Sequence, residues 1–165
     1  MQALSLRTFC VTGVIALAAG VASCVPNRRA QANEVMAQGG LRAIARAQTK
    51  YALTCGNGSF TASFKALRTK GKDQPDPFLA EPFTDADVQE HNGYRMRLTP
   101  GAGSRTGEPD CNGSPTITAF YASAEPVNDG TGTKSFATSE GNTLWELKGS
   151  KAPAEPFGAP AMPVQ

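Results

Sequence analysis

The sequence predicts an α+β fold: one long N-terminal helix packed on a small antiparallel sheet of about four strands. Three observations predict it. Residues 32–53 lack proline and carry an apolar stripe at helical spacing. The second half of the chain switches to short alternating runs separated only by loops. Between the two, Cys55 and Cys111 each sit in a turn-like context, ready to staple helix exit to sheet.

The chain opens on an export-type leader. Residues 1–24 divide into a short start carrying Arg7, an uncharged apolar run over residues 9–22, and Ser23-Cys24. The run is shorter than the roughly 20 residues of a free-standing bilayer span and suits a signal-peptide core. Val21-Ala22-Ser23-Cys24 resembles the bacterial lipobox, in which small residues precede a cysteine that is lipidated. Three outcomes stay open at this stage: lipidation of Cys24, retention of the run as a membrane helix, or ordinary cleavage.

In residues 32–53 Ala, Gln, Arg and Glu are strong helix formers. Ala37, Leu41, Ile44 and Tyr51 fall on one stripe, interrupted by Gln48. Arg42, Arg46 and Lys50, four apart, form the solvated side. Leu41, Ile44 and Tyr51 are therefore expected to tie the helix to the sheet. Gly39-Gly40 weakens the middle by about 1 kcal/mol per glycine and marks a bend or a close contact.

Short pieces follow. Residues 62–68 read as a helical turn presenting Phe64 and Leu67, with Gly71 as a stop. Residues 74–82 hold three prolines and read as loop, with Phe78, Leu79 and Phe83 tucking it to the core. Thr84-Asp85-Ala86-Asp87 resembles a capping box opening a second helical turn, closed by Gly93, which puts His91 at a helix end. Tyr94, Met96 and Leu98 alternate with Arg95, Arg97 and Thr99 as a half-buried strand. Residues 116–124 read as one strand ended before Pro126, and residues 134–138 and 143–147 as two more, joined by a hairpin connection. Trp145 is expected in the core, and residues 148–165 as a disordered Pro/Ala-rich tail. The domain expected to fold is thus residues 25–147.

Four cysteines sort by context. Cys10 lies in the apolar run as a small hydrophobe, Cys24 is the lipidation candidate, and Cys55 with Cys111 is expected as a disulfide in an oxidising compartment. One histidine and two distant cysteines supply too few ligands for zinc, and the acids at 73, 76, 81, 85, 87 and 90 lack EF-hand spacing. Glycines 101, 103 and 107 precede no helix, so they make no phosphate loop. Asn57-Gly58-Ser59 and Asn112-Gly113-Ser114 fit a glycosylation sequon but are equally well explained as turns. Sixteen basic against fourteen acidic residues leave +2, no field for nucleic acid. No metal, cofactor, small-molecule substrate or catalytic constellation is read from the sequence, and the expectation is a non-enzyme.

Taken in order, these residues resemble type IV pilins and type II secretion pseudopilins. Residues 15–21 followed by Val25-Pro26-Asn27 are similar to the apolar helix of those proteins running into Ile-Pro-Asn. Ala32-Asn33-Glu34, then Gly40-Leu41-Arg42-Ala43-Ile44, then Ala47-Gln48-Thr49-Lys50-Tyr51-Ala52 and Cys55-Gly56-Asn57-Gly58 resemble their helix and its exit. Gly93-Tyr94, Leu98-Thr99-Pro100-Gly101, Phe120-Tyr121-Ala122 and Ser135-Phe136-Ala137-Thr138 resemble their strands. The likeness covers roughly residues 15–147. It implies a pilin-like α/β roll in the bacterial cell envelope, held at the membrane by the apolar segment or a lipid on Cys24, with other pilin-like subunits as partners. One departure stands out. The prepilin Gly-Phe cleavage site and its following glutamate are absent; with Pro26 aligned, Phe9 stands where the acid belongs. This pattern suggests a pilin-type domain behind a lipoprotein-like leader, either assembling or serving as a lipid-anchored binding or adhesion module.

Overall fold

The computed structural model describes residues 27–165. The leader, with Cys10 and Cys24, lies outside the described residues. Helix α1 runs over Arg28–Thr54, 27 residues or about 40 Å at 1.5 Å per residue. It starts four residues earlier than the stripe implies because the Asn27 side chain caps it, accepting from the Ala30 N–H at 3.2 Å. Its buried face comprises Ala37, Leu41, Ile44, Ala47, Gln48 and Tyr51, and Arg42, Arg46 and Lys50 are exposed. Gln48 lies wholly buried yet is satisfied: its amide donates to the Thr61 carbonyl and accepts from the Thr61 N–H at 3.1 Å. The polar break in the stripe is therefore a clasp on the chain leaving the helix.

The two central glycines differ. A methyl on Gly40 would stand 2.6 Å from Met96 Cε, so this position lets α1 approach the sheet, whereas Gly39 faces open space. Gly39→Ala is expected to raise stability by about 0.5–1 kcal/mol in urea unfolding, and Gly40→Ala to gain less or to lose. Equal gains at both would remove the close-approach account.

Helix α2, Phe64–Arg68, is capped by the Ser63 side chain and buries Phe64 and Leu67. Phe78, Leu79 and Phe83 anchor the following loop in the core. From here the structure departs from the sequence reading. No helical turn forms at Thr84–Asp87. The buried Gln89 side chain accepts from the Thr84 N–H at 2.9 Å and donates to the Ala86 carbonyl, which curls the loop into strand β1, Val88–His91. His91 ends that strand, not a helix, its ring edge-on to Phe83 at 5.6 Å. Asn92 (φ 50°) and Gly93 (φ 73°) make the two-residue turn into β2, Tyr94–Pro100. Positive φ at both positions matches the twist of a tight hairpin.

Two short strands, β3 (Thr106–Gly107) and β4 (Thr116–Ile117), form a separate pair. The expected single strand over residues 116–124 is thus broken, and its second part is β5, Phe120–Pro126. Strands β6 (Lys134–Ser139), β7 (Trp145–Lys148) and β8 (Met162–Pro163) follow. The main sheet has six antiparallel strands in the order β1-β2-β5-β6-β7-β8, more than the four or so expected. Helix α1 lies across β5 and β6. Beneath it are Ala122 and Ala124, small enough for close approach, flanked by Tyr94, Met96, Phe120 and Phe136.

Residues 148–165 form no disordered tail. They run as a strap over the sheet face opposite α1. The Tyr121 hydroxyl donates to the Pro153 carbonyl at 2.6 Å, and the Ala152 N–H donates to Glu125 at 2.9 Å. Phe157 stacks on Trp145 at 5.4 Å and on Tyr121 at 6.2 Å, and β8 then pairs with β7. Trp145 is accordingly half-buried beneath the strap, not in the core under α1. A Pro/Ala composition cannot build a core of its own, but it can cover one cheaply, because prolines lose little backbone freedom on ordering.

Candidate functional site

Where α1 ends, the chain is knotted to the loop before β4. Cys55 and Cys111 form a disulfide across a sequence separation of 56, and the Cys111 N–H donates to the Cys55 carbonyl at 2.8 Å. Beside it Asp110, buried, accepts from the Tyr51 hydroxyl at 2.8 Å, the Asn112 N–H at 2.9 Å and the Ser114 N–H at 2.7 Å. A buried carboxylate so surrounded by donors is satisfied without a cation. Gly56 fits because any Cβ there would collide with the Ser59 carbonyl and the Tyr51 ring. Asn57 (φ 51°) and Gly58 (φ 83°) complete the turn, and Asn57 donates to the Pro109 carbonyl at 2.9 Å. The sequence marks the cysteines and Tyr51; it does not mark Asp110, whose burial depends on the loop around it.

Leu41, Ile44 and Tyr51 are all fully buried in one cluster with Ala122, Ala124 and Phe136. Tyr51 also meets Phe78 edge-on at 5.3 Å, so it touches helix exit, proline loop and disulfide loop at once. Cys24 cannot be placed with them, being outside the described residues.

Three tyrosines hold their protons more tightly than usual. Burial raises Tyr51, aided by its hydrogen bond to Asp110 and by that residue's charge. Burial also raises Tyr94, with Glu34 adding to it, and pushes Tyr121 up to about 12, with Glu125 and Glu155 contributing. In the unfolded chain each ionises near 10.0, so it releases its proton before the folded chain does. Their contribution is complete below that value and is lost as pH rises through the folded values. The urea midpoint is therefore expected to fall from pH 10.0 upward, in step with tyrosinate absorbance. A midpoint unchanged up to pH 12 would contradict this.

A groove of about 620 Å³ opens between the outer edge of α1 and the β6–β7 connection. Arg42, Arg46 and Lys50 line one wall, and Leu53 and Leu144 supply apolar surface. Thr138 and Asn142 add hydrogen-bonding groups from the sheet side. Among the described residues none of these three cations has a carboxylate within ion-pair distance; the pairs formed are Arg68–Asp85, Arg95–Glu90 and Lys134–Glu146. Lys50 instead lies 5.8 Å from the Phe78 ring centroid. The groove can take up carboxylates or other anions alongside apolar surface. Its lining contains no carboxylate, imidazole or thiol.

The loop into β1 exposes Asp73, Asp76, Glu81 and Asp87, none paired with a cation of the described residues. Among the described residues no three His, Cys, Asp or Glu side chains are grouped to hold a metal. His91 Nε2 and Arg68 Nε are buried without a hydrogen-bond partner. Among the described residues no helix is long and apolar enough to cross a membrane. Comparison with protein-family models, curated proteins and solved structures finds no match.

Proposed function

We propose that this chain is a non-enzymatic, pilin-like or pseudopilin-like structural protein of the bacterial cell envelope. It acts by helix packing in an assembly of the type IV pilus or type II secretion kind. The observation that carries the reading is the division of labour along α1. Its inner face is buried on β5 and β6, while the outward ridge of its first half, Ala32, Val35, Met36 and Gly39, stays exposed; Val35 is 65% and Met36 56% accessible. Exposed apolar side chains in a row on a helix suit contact with a neighbouring helix. Only residues 23–27 separate the apolar run from α1, which fits a helix held close to a membrane by that run.

Mass spectrometry of the mature N-terminus, on protein taken from native envelope assemblies, tests this reading. Retention of residues 9–22 in a chain that co-purifies with other pilin-like subunits is the expected result. A diacylated Cys24 would remove the apolar rod from any filament core. It would favour the second reading, a lipid-anchored binding or adhesion module, for which Val21-Ala22-Ser23-Cys24 speaks. Val35→Asp is expected to abolish co-purification while leaving the folded domain and its disulfide intact, since the site is solvent-facing.

A further inference from the structure

We infer that the cationic groove beside α1 receives the acidic loop of a second copy of this chain. The inference deepens the assembly reading and rests on it for the class of partner.

The two surfaces are complementary in sign, and each is incomplete alone. Arg42, Arg46 and Lys50 stand one helical turn apart along about 12 Å of α1. No described carboxylate neutralises them. The loop leading to β1 carries Asp76, Glu81 and Asp87, exposed and likewise without a cation, whereas the neighbouring Asp85 and Glu90 are already paired with Arg68 and Arg95. The unpaired cations of the groove and the unpaired acids of the loop are opposite in sign. Such patches steer association and set register.

Thr138 of β6 and Asn142 and Leu144 of the β6–β7 connection place the groove toward the β7 side of the sheet. The acidic loop enters β1, the strand at the opposite edge. Groove and loop are different surfaces, so a contact between copies pairs unlike patches, although the two adjoin on one molecule where Lys50 lies 5.8 Å from the Phe78 ring centroid. The loop is suited to docking because Phe78, Leu79 and Phe83 pin it to the core and Pro75, Pro77 and Pro82 limit its freedom. Little ordering remains to be done on binding. Leu53, 80% accessible at the groove's end, gives the contact an apolar component.

The test uses the full-length chain in detergent and measures self-association by sedimentation, with a photo-crosslinking residue at Thr49 to identify what occupies the groove. Arg46→Glu alone and Glu81→Lys with Asp87→Lys together are each expected to weaken self-association about tenfold or more. Mixing the two variants should restore it to within about threefold of the parent, because each supplies the surface the other has lost. Raising salt from about 0.05 to 0.5 M should weaken the parent in the same direction. Crosslinks from Thr49 should map to residues 73–88 of another copy. Association unchanged by either variant, or weakened by both without restoration on mixing, would overturn the inference. Crosslinks to lipid or to a different protein would do the same. A chain that occurs in native assemblies but shows no variant effect refutes this contact and leaves the assembly reading standing. A chain absent from such assemblies whose variants still complement one another refutes the assembly reading instead.

Discussion

Replacing both bridging cysteines, Cys55→Ser with Cys111→Ser, is expected to lower unfolding free energy by about 4 kcal/mol. This is the chain-entropy value for a closed loop spanning 56 residues. The loop encloses α2, the proline-rich segment, β1 and β2, so the unfolded chain gains freedom over much of the domain when the bridge is absent. A loss that large removes a substantial share of the stability of an ordinary small domain. Urea unfolding monitored by far-UV dichroism, with the parent under oxidising and reducing conditions as reference, measures it. A difference below about 1 kcal/mol would mean that the hydrogen bonds around Asp110 hold the loop unaided.

Tyr51→Ala is expected to cost about 3–5 kcal/mol, the range for deleting a buried aromatic ring. The ring is fully buried, packs edge-on against Phe78 and lies over Gly56. Tyr51→Phe separates the two parts of the effect. It keeps the ring and removes only the hydroxyl that donates to Asp110, for an expected loss of about 1–3 kcal/mol. The Tyr51→Phe and cysteine replacements should be non-additive, because both act on the loop that carries Asp110 and Cys111. Strict additivity in a double-mutant cycle would show that hydroxyl and disulfide stabilise separate features.

The helix was the most legible element. Its stripe of Ala37, Leu41, Ile44 and Tyr51 repeats over several turns, and the buried face in the structure contains all four. Strand β2 was nearly as clear, since Tyr94, Met96 and Leu98 alternate with charged or polar neighbours. Strand β1 was not. It has four residues, and its one deeply buried side chain is a glutamine, satisfied by a loop that bends back to reach it. Composition there favours a capped helix closed by Gly93, whereas Asn92-Gly93 makes the hairpin turn between β1 and β2. In the candidate groove Arg42, Arg46 and Lys50 are readable as one helical side, but Thr138, Asn142 and Leu144 come from a different part of the chain. No local pattern brings them together.

By itself the sequence determined the α+β class, the amphipathic rod with its buried and solvated faces, and the pair of cysteines at the helix exit. All are set by periodicity or by the few cysteines available, which are local quantities. Only the tertiary structure decided the extra strands, the buried Asp110 and the strap of residues 148–165 across Tyr121 and Trp145. Each depends on a partner far along the chain. A short strand, a buried carboxylate or a proline-rich segment is stable only when distant residues supply its hydrogen bonds and cover its apolar surface.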